Sequence, residues 1–278
     1  MNNPTPGALV YDVGMHNGDD TAYYLHKGCR VVAIEANPQL IPPAEQRFAA
    51  ALAAGRLEIL NVAIAATAGE AELFVPAGVD LGGSLVESNA ARFSSSMRRL
   101  RVRCQPFAEI LAVHGTPHYA KIDIEGHDRL CLDALTPGNL PPYISIEMSH
   151  GDGDQDIRRL AALGYRGFKC VRQNDLAVLG PSELPLQLAM RRRRLRGGLQ
   201  GLGVRVMRRL SRTLRPARDG DWHFAHGASG PFGAALAGEW LDVTAMLSVW
   251  QALHDIDVEL AAGGIGEWFD VHAALATG

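Results

Sequence analysis

Asp12-Val-Gly14-Met-His16-Asn17-Gly18-Asp-Asp-Thr21 sets two glycines among small polar residues directly after a short apolar run. Glycine lets a backbone approach a ligand closely, and a helix starting near Asp19 would present N–H groups that have no partner within the helix. Glu35 closes the next apolar run, where a carboxylate can accept hydrogen bonds from both hydroxyls of a ribose. Together these residues form the pattern of a site for a nucleoside-containing cofactor. The loop lacks the Gly-x-Gly-x-x-Gly dinucleotide fingerprint and the Gly-Lys-Ser/Thr ending of a phosphate loop. Asp19 and Asp20 would also repel a pyrophosphate, so an uncharged or cationic ligand suits it better.

A second group of reactive residues lies further on, in Lys121-Ile-Asp123-Ile-Glu125-Gly126-His127, with Glu147 and His150 beyond it. Ligands of open α/β sheets sit past the carboxyl ends of the strands, and that geometry would gather Asp123, Glu125, His127, Glu147 and His150 at one rim. Carboxylates and imidazoles in such a place can take up and release protons near neutral pH. By the period of two, Lys121, Asp123 and Glu125 share one face of an extended strand, and part of that polar row must reach the rim, because a carboxylate in mid-sheet is expensive. Asp123, Glu125 and Glu147 are also an oxygen set that could gather magnesium, although no metal site is assigned to them.

These residues need elements to hold them. Apolar and β-branched runs predict strands over Ala8–Val13, Arg30–Ile34, Leu57–Val62, Glu70–Val75, Arg101–Cys104, Tyr119–Ile124 and Tyr143–Glu147. Helices are expected over Asp19–Lys27, Pro43–Ala54, Phe107–Val113, His127–Leu135 and Gln155–Leu163. Strands alternating with helices predict an α/β fold with a mostly parallel sheet. Arg166–Arg172 reads as a further strand whose partner is either Leu176–Leu179 or Trp222–Ala225. The tail beyond Gly233 reads as mainly helical, and its Trp240 and Trp268–His272 segments are candidates to cover an acceptor pocket.

Composition fits this picture: 47% of the 278 residues are hydrophobic and 21% charged, enough apolar material for a large core. The net charge of -3 conceals eleven arginines and no acid between residues 191 and 218. Leu195, Leu199, Leu202, Val206, Leu210 and Leu214 recur there at helical spacing, predicting a basic amphipathic helix. It suits a lid, an anionic acceptor or a peripheral membrane contact; nucleic acid is disfavoured because no reader motif or aromatic interleaving accompanies the charge. The four cysteines form no Cys-x-x-Cys pair, which argues against zinc and redox motifs. Without a signal-like start or a run of about 18 apolar residues, a cytoplasmic protein is expected. Three regions are anticipated: a core over 1–180, an arginine-rich helical insertion over 181–220 and a C-terminal extension over 221–278.

The order of motifs over about residues 8–150 resembles the FkbM family of methyltransferases. Val10-Tyr-Asp12-Val-Gly14 with Gly18, Val32-Ala-Ile-Glu35-Ala36-Asn37-Pro38, Asn61-Val-Ala63-Ile, Gly69-Glu-Ala-Glu-Leu73, Gly83-Ser84-Leu85 and Lys121-Ile-Asp123-Ile-Glu125-Gly126 carry the likeness. Cys104-Gln-Pro-Phe-Ala-Glu109 departs from the family's usual Thr-Leu-Asp before a helix, which bears on the local turn. The resemblance implies a Rossmann-like class I methyltransferase fold, S-adenosyl-L-methionine as cofactor and O-methylation of a sugar, polyketide or related small metabolite. It further implies that Asp12, Gly14, His16, Asn17, Gly18 and Thr21 hold the methionine end and that Glu35 and Ala36 meet the ribose. Asn61 and Ala63 would flank the adenine. From the chemistry of the residues themselves, Asp123 is the candidate to hold the methionine ammonium group, and His150 or His127 the candidate base, because histidine titrates near neutral pH. A nicotinamide-dependent oxidoreductase or a non-catalytic nucleoside-binding or membrane-associated module are the competing readings.

Overall fold

The computed structural model describes residues 4–78, 82–148, 152–173, 175–181, 218–225, 227–261 and 268–276, and they fall into two compact units, 1–146 and 147–278. In the first unit β1 (Leu9–Val13), β2 (Arg30–Ile34), β3 (Leu57–Leu60), β7 (Tyr119–Ile122) and β8 (Tyr143–Glu147) pair in the order β8-β7-β1-β2-β3, every pair parallel. The connecting helices are α1 (Asp19–His26), α2 (Ile41–Arg47), α3 (Ala49–Ala53), α5 (Phe107–His114) and α6 (Asp128–Asp133). This is the mixed α/β architecture with a mostly parallel sheet that the alternating pattern predicts, and the Rossmann-like fold that the resemblance implies. β1 is central, flanked by β2 and β7, and Val10, Tyr11, Val13, Val31, Val32, Tyr119 and Ile122 are buried along these three strands. The near-continuous apolar character of these runs is what a strand covered on both faces requires.

Inserted between β3 and β7 is a second, three-stranded sheet of β4 (Ala63–Ile64), β5 (Gly69–Pro76) and β6 (Met97–Gln105), in the order β4-β6-β5. Leu73, Val75, Val102 and Cys104 form its buried face, and the short helix α4 (Glu87–Ala90) lies between β5 and β6 in the chain. Despite the departure at Cys104–Glu109, α5 forms directly after Pro106, whose extended backbone (φ -64°, ψ 137°) ends the strand before it.

The helix expected over Pro43–Ala54 is two helices. It starts earlier, at Ile41, since Pro42 and Pro43 occupy the first turn, where a missing N–H costs nothing. It breaks at Phe48 (φ -108°, ψ 17°), whose ring lies over Gly18 so closely that a Cβ there would meet it at 2.5 Å. β7 also stops short of the predicted Ile124: Asp123 and Ile124 lie in the exit loop and Glu125 takes a left-handed backbone (φ 54°), so the period-two row does not extend to Glu125.

The second unit holds α7 (Gly153–Leu163), β9 (Gly167–Arg172), β10 (Ala177–Leu179), α8 (Val243–Ala261) and β13 (Phe269–Ala274). β9 pairs antiparallel with β10, which decides between the two partners left open, and antiparallel with β13 on its other side. Trp222–His223 (β12) pairs instead with Arg218–Asp219 (β11). The tail is therefore not wholly helical: Phe269–Ala274 is a buried strand that joins the sheet of its unit. Lys169 on β9 faces His272 on β13 in register; its Nζ donates to the Leu236 carbonyl (2.7 Å) and stands 4.1 Å from the Trp240 ring centre. Burial lowers the Lys169 pKa to about 8 and, with Lys169 beside it, that of His272 to about 3. Arg191–Arg194 and the predicted basic helix lie outside the described residues. Among the described residues no helix is long and apolar enough to cross a membrane.

Candidate active site

Parallel pairing brings the carboxyl ends of β1, β2 and β7 to one end of the first unit, and the predicted cofactor loop leaves β1 there. Gly14 adopts φ 89°, and a Cβ on it would meet the Asp123 carbonyl oxygen at 1.8 Å, so only glycine allows the β1 and β7 exits to approach this closely. The N–H groups of Gly14 and Met15 both donate to the Ile34 carbonyl at 2.9 Å. His16 follows in a left-handed conformation (φ 52°), and Gly18 (φ 82°) precedes α1.

Glu35 is almost buried at the end of β2. Its Oε2 accepts the His16 N–H and its Oε1 the Asn37 N–H, each at 2.8 Å. Burial raises its pKa even though these two bonds favour the charged form. Asn61 donates from Nδ2 to the Glu35 carbonyl (2.8 Å) and the Ala36 carbonyl (3.3 Å), tying the strand ends together. Ala63 is buried in the small sheet's core, with Ala36 packed against it.

Several loop side chains are engaged inside the protein. Thr21 is fully buried and donates to Asp12 Oδ2 at 2.6 Å. Asn17 turns toward α1, donating to Asp19 Oδ2 (2.9 Å) and accepting the Asp19 N–H (3.0 Å). Asp12 itself is the expensive mid-sheet carboxylate: fully buried in β1, its pKa raised by burial and held back by Lys121 and Thr21.

At the exit of β7, Asp128 stitches the loop by accepting the N–H groups of Ile124 and Gly126, both at 3.0 Å. The Glu125 carbonyl accepts from Ser84 Oγ (2.8 Å) and Asn89 Nδ2 (2.9 Å). These long-range clamps hold Glu125 in its left-handed backbone. The Glu125 carboxyl is pushed up to about 7, first by burial and then by Asp123 and Asp128, with Arg92 and Lys121 opposing. His127 Nδ1 lies 3.2 Å from the Ile64 carbonyl, an acceptor only, so Nδ1 is the donor of that bond.

The profile of the methyltransferase FkbM domain matches residues 12–167. The chain belongs to the FkbM methyltransferase family. It is accordingly an S-adenosylmethionine-dependent methyltransferase, and the oxidoreductase reading falls. No curated protein matches the sequence. Solved structures of similar fold include a TehB-like SAM-dependent methyltransferase from Corynebacterium glutamicum, with 12% identity, 60% of this chain and 71% of that one covered and a TM-score of 0.35. Another is the 1,6-didemethyltoxoflavin-N1-methyltransferase of Burkholderia thailandensis, solved with 1,6-didemethyltoxoflavin and S-adenosylhomocysteine, with 16% identity, coverage of 59% and 63% and a TM-score of 0.32.

Within this FkbM methyltransferase the fold gathers Asp12, Gly14, His16, Glu35 and Asp123 around the β1, β2 and β7 exits. Glu125 and His127 follow on the same exit loop. Glu147 is the last residue of β8, one past Ile146, the register partner of Ile122. His150 lies outside the described residues. Three residues that position the site escaped the sequence reading as site residues: Lys121, Ser84 and Asn89. Lys121 could have been suspected as a cation in an otherwise apolar strand, whereas Ser84 and Asn89 reach Glu125 across a separation that no local pattern reveals.

Ser84 is 1% exposed and also accepts the Val86 N–H at 3.0 Å. Ser84→Ala should therefore cost about 1–3 kcal/mol, the price of leaving a buried donor and a partly served carbonyl unmatched. Chemical denaturation checks the loss, which should appear as a lower midpoint at unchanged slope.

Proposed function

We propose that this methyltransferase acts on a hydroxyl group of a small metabolite or glycan, with Glu125 taking up the hydroxyl proton. The observation that carries this reading is the Glu125 carboxyl, clamped at its backbone on the β7 exit beside Asp123 and brought to about 7. A general base is most effective when its pKa lies near the working pH. His127, with Nε2 unengaged by the Ile64 carbonyl, is the next candidate.

The donor set fits S-adenosylmethionine. Each Glu35 oxygen takes one backbone N–H and retains a lone pair, so a ribose diol can donate to both. Asp123 is 27% exposed at its side chain and can meet an ammonium group. Asn61 and Ala36 are the candidates to border the adenine and the backbone from Gly14 to Gly18 the methionine end, whereas Ala63 packs in the small sheet's core. When bound, the cofactor supplies an electrophilic methyl group on a sulfonium, to be displaced in line. The chain's own contribution is alignment of the acceptor oxygen and removal of its proton.

The test has two steps. S-adenosylhomocysteine should bind by calorimetry and NAD should not. Incubation with labelled S-adenosylmethionine and a panel of hydroxylated metabolites and glycans should then yield a methyl ether resistant to alkali. Label on nitrogen, or as an alkali-labile ester, would overturn the hydroxyl assignment.

A further inference from the structure

Lys121 is 5% exposed, and its register partner across β1 and β7 is Asp12. Its Nζ donates to the Gly14 carbonyl at 2.7 Å. The same ammonium lies 3.5 Å from Asp12 Oδ1, 3.6 Å from Asp123 Oδ2 and 4.0 Å from Asp20 Oδ2. One cation thus meets a central strand, the cofactor loop, the first helix and the exit of β7. Glu35 and Glu125 also feel its charge, and the buried Tyr24 hydroxyl of α1 feels Asp12 and Asp20.

We infer that Lys121 is the positioning residue of the cofactor loop, holding the Gly14 carbonyl and the Asp123 carboxylate in the arrangement that receives the methionine end of the cofactor. The donors of the loop's first turn are turned to β2, where Ile34 accepts them, while its Gly14 carbonyl accepts from Lys121 on β7. Lys121 therefore fixes the side of the turn that Ile34 does not. It also joins the loop to Asp123, whose backbone carbonyl already packs against Gly14. Charge points the same way: one ammonium set against Asp12, Asp20 and Asp123 leaves a net negative neighbourhood, which favours a cationic ligand. This inference rests on the methyltransferase assignment for the ligand, and is independent of which atom is methylated.

A simpler role would be that Lys121 only neutralises the buried Asp12, and three variants separate the roles: Lys121→Met, Asp12→Asn and the two combined. In Lys121→Met, Asp12 loses its counter-charge and its raised pKa rises further, so stability should fall more steeply than in the wild type as pH rises from about 5 to 8. Adding Asp12→Asn removes that buried charge while keeping an oxygen for Thr21, and should restore stability and bring its fall with pH back toward that of the wild type. The double variant should still bind S-adenosylhomocysteine about tenfold more weakly than Asp12→Asn alone, the loss of roughly one charge-assisted hydrogen bond. Without ligand, its amides over residues 14–18 should exchange faster with deuterium than those of Asp12→Asn alone. If the double variant matches Asp12→Asn alone in affinity and in exchange, Lys121 is merely the counter-ion of Asp12 and the positioning role is overturned. Should the wild type itself fail to bind S-adenosylhomocysteine, the methyltransferase reading falls, while the exchange comparison still decides the role of Lys121.

Discussion

Glu125→Gln is expected to slow methyl transfer by about 10²- to 10⁴-fold, the range typical for loss of a general base, with little change in affinity for S-adenosylhomocysteine. Glutamine preserves the size of the side chain and leaves the backbone clamps from Ser84 and Asn89 in place. What disappears is the proton acceptor. In the wild type the rate should rise with pH through about 7 and level off above it, because only the ionised carboxylate can accept the hydroxyl proton. The variant should lack this limb. The sign for stability is opposite: a carboxyl whose folded pKa exceeds its unfolded value favours folding at low pH, and that contribution is lost as pH rises through about 7. Glu125→Gln should therefore gain thermal stability relative to the wild type between about pH 5 and 8. Full turnover on a verified acceptor would move the base role to His127 Nε2, whereas a joint loss of turnover and cofactor affinity would make Glu125 a structural member of the loop.

The strand-turn-helix unit from Leu9 to His26 and the carboxylate at the end of β2 were legible because each is a local pattern: an apolar run, glycines at left-handed positions, then helix-forming residues. Less local features were hidden. Phe269–Ala274 carries Asp270 and His272, polar residues that look wrong for a buried strand, and they are tolerated because Gln173 donates to Asp270 at 2.9 Å and burial keeps His272 neutral. Period two carried the Lys121–Glu125 row too far, since Ser84 and Asn89 bind the Glu125 carbonyl and bend the chain out of the strand. The cost of burying a charge argues against a carboxylate in mid-sheet; Asp12 is there because Lys121 and Thr21 accompany it, which only the β1–β7 register reveals.

Replacing Glu35 by alanine should weaken binding of S-adenosylhomocysteine by about 100-fold or more. Each hydrogen bond to a charged acceptor contributes about 1.5–3 kcal/mol, and the proposed ribose diol would lose two, less what water restores at the enlarged site. A complication is that Glu35 also receives the N–H groups of His16 and Asn37, so its removal loosens the loop as well as the ligand contact. Ligand chemistry separates these effects. 5′-Methylthioadenosine presents the ribose hydroxyls, and its 2′,3′-dideoxy counterpart does not. If Glu35 binds the diol, the wild type should discriminate strongly between the two, and Glu35→Ala should bind both with similar weak affinity, as a double-mutant cycle between residue and ligand requires. Equal discrimination by wild type and variant would show that Glu35 only braces His16 and Asn37, and an unchanged dissociation constant for S-adenosylhomocysteine would remove it from the cofactor site altogether.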